Sequence, residues 1–412
     1  MFVLVAVTVA CCCVHQSAFA QGVLLRGIGA VNASVGGTAT AMPLDARGAI
    51  HWNPASISAL QNEMTFGIEL IDATTRVSSS MPNLDGTMSS GSTKGENGVV
   101  PIPSTGYIRR SSPRSPFTFG LGTGVVGGAS SLYPHDLGNP ILSAHGRSSN
   151  VIVLQVTPTV AAQVSDRLAI GVAPIVDLAS LSINPMSLGR DITPNYDQSL
   201  KTYGTRYVWG GGFQVGTLYD FQNNFKAGFM FKSPIWAERL YFSGSRLEGD
   251  SLIPATHTFQ LNLPMTLSAG ISYDGFRNTI IGMDVRYFDY SNAAGLSKGM
   301  SGTVVEGLGW QSVYSINLGA QYRVNCRLKV RMGYCWNENP IPSRNAALAV
   351  SSPMITQHVL SCGFSYAIGR GLEMSFAYSH AFRASLTGPY GPGSVTNTLS
   401  ANSFFTSISK KW

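Results

Sequence analysis

Residues 357–383 read QHVLSCGFSYAIGRGLEMSFAYSHAFR, and the period of that stretch decides the fold. His358, Leu360, Cys362, Phe364, Tyr366 and Ile368 oppose Gln357, Val359, Ser361, Gly363, Ser365 and Ala367. After Gly369-Arg370-Gly371 the pattern restarts, with Leu372, Met374, Phe376, Tyr378, His380 and Phe382 set against Glu373, Ser375, Ala377, Ser379, Ala381 and Arg383. A period of two marks a strand with one apolar face. Two such strands of ten residues or more, joined by a tight glycine turn, make a hairpin long enough to cross a bilayer.

The same reading extended along the chain predicts strands near 64–73, 104–110, 117–126, 151–163, 168–182, 203–219 and 225–243. Seven more follow near 257–273, 279–291, 311–324, 327–337, 356–368, 372–384 and 397–409. The expectation is an all-β fold, a 14-stranded antiparallel transmembrane β-barrel; the even number puts both ends of the chain on one side. The connections alternate between short ones, such as Ser165-Asp166-Arg167 and Gln222-Asn223-Asn224, and long ones at 74–103, 127–150, 183–202, 244–256, 292–310, 338–355 and 385–396. Short periplasmic turns and long outer loops are the asymmetry of an outer-membrane barrel, which a soluble β-sandwich does not need. Aromatic residues such as Tyr207, Trp209, Trp236, Tyr241 and Tyr314 sit near strand ends, as interfacial girdles do.

Composition agrees. Only 12% of the 412 residues are Asp, Glu, Lys or Arg and 45 are Gly, a poor recipe for a water-facing surface. With 44% apolar residues the chain is not disordered, and its net charge of +7 comes from scattered Lys and Arg, so nucleic acid is not expected as a partner. Residues 1–20 read as a signal peptide closing on Ala18-Phe19-Ala20, with cleavage expected before Gln21. Cys326, Cys335 and Cys362 remain, with no C-x-x-C pair and seven scattered His, so neither a metal site nor a cofactor is expected. Phase puts Cys335 on the lumen face and Cys362 on the lipid face.

Residues 21–62 do not alternate and are rich in small residues, from Gly27-Ile28-Gly29-Ala30 to Trp52-Asn53-Pro54-Ala55. They read as a plug inside a barrel formed by residues 63–412, because fourteen strands would otherwise enclose an open aqueous hole. Asn53 fits as the cap, and Pro54 as the first turn, of a short helix.

At this point the residues resemble the FadL/TodX family of outer-membrane transporters. Gly27 to Gly37, Asp45-Ala46 and Trp52-Asn53-Pro54-Ala55 look like the family's hatch with its Asn-Pro-Ala signature, and Leu263-Pro264-Met265-Thr266-Leu267 looks like its Leu-Pro-Ala-Thr strand. Gly309 to Tyr314, Arg331-Met332-Gly333-Tyr334 with Pro340-Ile341-Pro342, and His358 with the last two hairpins continue the match in order. The resemblance implies a diffusion channel in the outer membrane of a Gram-negative-type bacterium, with long-chain fatty acids as the default cargo and aromatic hydrocarbons as the alternative. It implies capture in an apolar outer groove, an internal pocket, and lateral release through a gap at a kinked third strand. Outer-membrane lipid, lipopolysaccharide and the barrel assembly machinery are the other partners implied.

On that resemblance Asn53, Pro54 and Ala55 are hatch-gating residues, against a plain capping role. Leu132, Tyr133, Ile141 and Leu142 are apolar where a loop would be polar, so they line the outer groove or pack the loops together. Strand phase sends Asp284, Arg286, Arg323, Lys329, Arg331, Glu373 and Arg383 to the lumen. Arg286, Lys329 and Arg331 are candidates for holding a carboxylate by charge-assisted bonds, against an ion-pair ladder such as Arg331 with Glu373. Gly122 and Gly124 are the candidates for the kink; the dinucleotide-like string Gly122-x-Gly124-x-x-Gly127 lacks a following helix and is not a nucleotide site. No arrangement of the His residues commits to a hydrolytic triad, so the chain is not read as an enzyme. A water-filled porin and an adhesive or structural barrel are the remaining competitors.

Overall fold

The computed structural model describes residues 22–112, 114–184, 207–248, 251–298, 300–301 and 304–412. The expected signal peptide, most of the expected connection 183–202 and residues 203–206 lie outside the described residues. Fourteen strands form one wall: β1 Glu63–Pro82, β2 Val99–Arg110, β3 Phe117–Tyr133, β4 Arg147–Gln163, β5 Leu168–Asn184, β6 Val208–Asp220 and β7 Phe225–Lys232. The second half comprises β8 Thr266–Phe276, β9 Thr279–Phe288, β10 Val313–Arg323, β11 Leu328–Asn337, β12 His358–Gly369, β13 Leu372–Tyr390 and β14 Gly393–Lys411. Each pairs antiparallel with its sequence neighbours, and β1 closes the ring by pairing both β14, from Glu63↔Lys411 to Ser80↔Ser394, and β2, from Glu63↔Ile108 to Asp72↔Val99. Closure satisfies the backbone within the sheet, the condition hydrocarbon imposes on any spanning structure.

Alternation fixes which side of each strand meets lipid. In β5, Ala169, Gly171, Ala173, Ile175 and Asp177 are buried inside while Ile170, Val172 and Val176 are exposed. Outward Phe66, Phe119, Phe213, Ile271, Met332 and Phe404 form the apolar belt of this wall. Turn chemistry matches the short connections: Gln222, Asn224, Asn278 and Arg370 take positive φ of 59°, 70°, 62° and 52°, which a tight reversal requires.

Several expectations are corrected. The expected strands 225–243 and 257–273 each carry a proline where the ladder needs an N–H; β7 stops before Pro234 and β8 begins after Pro264. Between them the chain leaves the wall as a hairpin of Arg239–Glu248 with Ser251–Gln260, pinned by an Ile235↔Leu263 bridge. Strands β1, β3, β4, β13 and β14 run past the expected ends into the long-loop side, and Met88–Lys94 pairs with Arg76 to Pro82 of β1. In those extensions the outward positions turn polar, as at Thr74, Arg76 and Ser78 of β1 and Thr387 of β13, while Val77, Tyr133, Leu386 and Val395 are buried inward, so the apolar-outward alternation no longer marks them. Arg383 sits in a bulge of β13 between Ala381 and Ala384 and is exposed, not luminal; Arg323 is exposed at the short-turn end of β10. A bulge adds one residue and reverses the phase beyond it.

Candidate functional site

The chain from residue 22 to residue 60 lies against the inward side chains of the wall. It contains helix α1 Gly29–Ser34, helix α2 Ala46–Trp52 capped by Asp45, and a 3₁₀ turn Pro54–Ala59 capped by Asn53. Small residues make this fit possible. A Cβ on Gly171 would come 2.3 Å from the backbone of Pro54 and Ala55, one on Gly216 would come 2.1 Å from Asn53 Oδ1, and one on Gly333 would come 2.0 Å from the Gly36 nitrogen. Asn53 is fully buried and uses its whole amide: Oδ1 accepts from Ala55 N at 3.0 Å, while Nδ2 donates to Thr40 O at 2.7 Å and to Thr217 O on β6 at 2.9 Å. Capping and attachment of the inner segment to the wall are therefore one function of one side chain. Pro54 and Ala55 are buried beside it.

The three carboxylate candidates are engaged by protein groups. Arg286 is 1% exposed, donates to Gly37 O at 2.6 Å, pairs with Asp284 at 2.8 Å and stacks 3.3 Å from the centre of the Trp52 ring. Asp284 in turn accepts from Ala39 N at 2.9 Å and Thr40 N at 3.1 Å. Lys329 pairs with Glu373 at 2.6 Å, and Arg331 donates to Gln321 and Ser365, so the anticipated Arg331–Glu373 rung is a Lys329–Glu373 rung. Near the Arg286 clamp, His51 is pushed well below the usual imidazole range by burial and by the neighbouring Lys232, Arg47 and Arg286 charges. Burial also pushes the Arg47 guanidinium down to about 10, against the attraction of Asp45.

The two candidate glycines separate in role. Gly122 is a close approach, because a Cβ there would meet Ile50 Cγ2 at 2.8 Å. Gly124 is the kink: its φ is +145°, the β2–β3 ladder runs from Arg110↔Thr118 only as far as Ser104↔Gly124, and β3 bulges between Val125 and Gly127. Beyond Gly124 the two strands are unpaired, so the wall has a lateral gap in its ladder. The freed edge of β3 pairs instead with the start of the inner segment, through the Leu24↔Gly127 bridge, Leu25 N to Val126 O at 2.9 Å and Gly128 N to Val23 O at 3.0 Å.

A cavity of about 210 Å³ lies behind that gap, lined by apolar groups including Leu24, Ile71, Ile102, Val125, Met354 and Leu399. Ile102 belongs to β2 and Val125 to β3, the strands that flank the gap. A smaller cavity of about 40 Å³ shares Val23, Ala129 and Val151 with the first and reaches Phe259, Leu296 and Trp310 of the long connections. The loop candidates lie elsewhere: Tyr133, Ile141 and Leu142 are buried in the core that packs the long loops together, and Leu132 is exposed. None of the four lines the larger cavity. Its charged lining groups are Arg26 and Glu69, which strand and plug reading passed over. Glu69 is a carboxylate midway along an inner face of β1 whose neighbours are Gly67, Ile71, Ala73 and Thr75, and that was the signal available for it.

A family model described as outer membrane protein transport protein (OMPP1/FadL/TodX) matches residues 11–388. No curated protein matches the chain by sequence. Among solved structures, the Pseudomonas putida toluene transporter TodX superposes with a TM-score of 0.71 at 17% identity, covering 94% of this chain and 99% of that one. A Pseudomonas aeruginosa FadL homologue gives 0.72 at 15% identity over 95% and 99%, and the Ralstonia pickettii toluene transporter TbuX gives 0.65 at 18% over 94% and 99%. At such identities these likenesses speak for the fold.

Proposed function

The chain belongs to the OMPP1/FadL/TodX family of outer-membrane transport proteins, and on that premise we propose that it is a passive uptake channel for small hydrophobic molecules about one ring in size. The observation that carries this reading is the 210 Å³ apolar cavity at the unpaired β2–β3 edge. Apolar cavities of about 150 Å³ accept benzene, whereas a long-chain fatty acid needs a longer slot. That size agrees with toluene, the cargo named for TodX and TbuX.

The path runs from the long loops through the smaller cavity to the larger one, and out between β2 and β3 into the outer leaflet. Leu24 and its neighbours occupy the exit edge, so their displacement is the gating step, and Asn53 holds the rest of the inner segment against the wall as a hatch. Partition into an apolar cavity supplies the driving force, and no nucleotide or cofactor takes part. Outer-leaflet lipopolysaccharide surrounds the exit, and the assembly machinery inserts the barrel.

Long-chain fatty acid uptake is the competing reading. Cells lacking their own hydrophobic-solute transporters should take up labelled toluene faster when this protein is in the outer membrane. Accelerated oleate uptake with no effect on toluene would overturn the single-ring assignment, and no effect on either would sink the channel reading.

A further inference from the structure

Lys and Arg residues that are scattered along the chain converge on one rim of the barrel. Arg114 lies in the β2–β3 turn, Arg167 in the β4–β5 turn, Arg277 in the β8–β9 turn, Arg327 in the β10–β11 turn and Arg370 in the β12–β13 turn. Arg109, Arg323 and Lys410 stand at strand ends on the same side, and each of these basic residues is exposed. Among the described residues, no ion pair engages any of them. The acids at this end are fewer and mostly committed. Asp220 and Asp274 lie 4.0 and 3.1 Å from Lys226, and Glu63 and Glu373 are buried inward beside Lys411 and Lys329. Asp166 is exposed next to Arg167. A surplus of positive charge therefore sits on the short-turn rim.

The depth of these cations decides what they meet. Arg109 is two residues from Tyr107, whose ring lies 6.1 Å from that of Trp412; Arg277 follows Phe276, whose ring lies 5.0 Å from that of Tyr273. Arg323 follows Tyr322 and Lys410 is two residues from Ile408, both exposed on the outer face. Such side chains mark where a wall leaves the hydrocarbon, so the charges stand one step further out, at headgroup depth. They also go round the barrel from β2 to β14 and do not gather on one flank. A folded partner protein covers one arc of such a ring, whereas the lipid annulus meets all of it. We propose that the short-turn rim binds the phosphates of anionic phospholipids in the inner leaflet, with the aromatic row beside it seated against their acyl chains. The guanidinium fork matches phosphate oxygens in pairs, which suits the predominance of Arg over Lys in these turns. This rests on the outer-membrane location, with the short turns at the inner leaflet, and not on the identity of the cargo.

Electron spin resonance of the purified full chain in phosphatidylcholine vesicles tests this, with spin-labelled phosphatidylglycerol or spin-labelled phosphatidylcholine as the probe. Both leaflets carry the probe, so the direction of insertion does not matter. Phosphatidylglycerol should be held at the wall about threefold more strongly than phosphatidylcholine at low salt, as basic clusters at an anionic surface do. That preference should fall toward one in molar salt, where charges act over only about 3 Å. Combined Arg109→Gln, Arg277→Gln and Arg327→Gln should lower it severalfold toward one, whereas Arg76→Gln, Lys94→Gln and Arg383→Gln on the long-loop side should leave it intact. Heat-modifiable gel mobility checks that each variant is a folded barrel. Equal retention of the two lipids by the unsubstituted protein at low salt overturns the proposal, whatever the variants do, and turns attention to an acidic protein partner. A preference that survives in the short-turn variant, or is lost in the long-loop one, overturns the assignment to this rim. None of these results bears on the channel reading, which toluene uptake decides.

Discussion

Leu24 pairs with Gly127 across an antiparallel bridge on the edge of β3 that β2 abandons beyond Gly124. An unpaired strand edge inside a membrane is costly, because hydrocarbon offers no hydrogen-bond partners. Residues 23 to 25 of the inner segment cover this edge with backbone bonds. The seam is closed at residues 126 to 128 of β3, the place where the proposed exit would have to open.

Gly124→Val should slow cargo passage. With φ at +145° and a Cβ that would come 2.8 Å from the Pro103 carbonyl, a side chain at Gly124 is strained, and relief straightens β3 toward β2. Labelled-toluene uptake should fall severalfold at equal surface expression; Gly122→Val, which instead strikes Ile50, should loosen the inner segment. Unchanged uptake in Gly124→Val would remove the gap from the mechanism.

Asn53→Ala should release the inner segment from β6. It deletes the cap on Ala55 N and leaves the carbonyls of Thr40 and Thr217 without their partner, at about 1–3 kcal/mol for each buried group. Planar-bilayer recordings should show ion conductance that the unsubstituted protein lacks. Silent bilayers would mean that the glycine-lined fit alone holds the segment.

Asp284→Ala should be far worse than removing the pair. It leaves Arg286 buried and uncompensated beside Trp52, a situation that costs about 3–5 kcal/mol, whereas Asp284→Leu combined with Arg286→Met removes both charges. Urea midpoints measured by loss of heat-modifiable gel mobility should place the double variant nearer the unsubstituted protein than the single one. The reverse order would contradict this account of the pair.

Acid should weaken attachment of the inner segment through His51. Its imidazole is held below the ordinary value of 6.5, so the unfolded segment binds a proton that the folded one refuses. Stability from this group is complete above pH 6.5 and declines as pH falls from there toward the depressed folded value. Arg47 faces it and stays charged across that window, and the His51→Asn comparison separates the imidazole from its other charged neighbours, Lys232 and Arg286. Thermal midpoints should drop between pH 7.5 and 5, and His51→Asn should flatten that drop; an equal drop in the variant would assign it to other groups.

Much of this was legible in the chain. Period-2 alternation and turn spacing depend on neighbours two and ten residues away, which a sequence displays directly. The fate of Arg286 was not, because strand phase says that a side chain points inward but not whether Gly37 and Trp52 wait there. Arg383 was misplaced for a related reason: a bulge shifts phase without changing composition. Pro234 and Pro264 were visible, yet alternation on either side of them masked the departure of the chain from the wall.

By itself the sequence determined a closed fourteen-stranded wall with a small-residue segment to fill it, because a lipid exterior forces an apolar residue at every second position and leaves that imprint locally. Only the tertiary structure decided where the β2–β3 ladder is interrupted and what lines the space behind it. Arg26 and Glu69 lie near the start of the chain and Thr356 and Ser403 near its end, and they line one cavity because barrel closure sets β1 beside β14 and the inner segment lies against that wall.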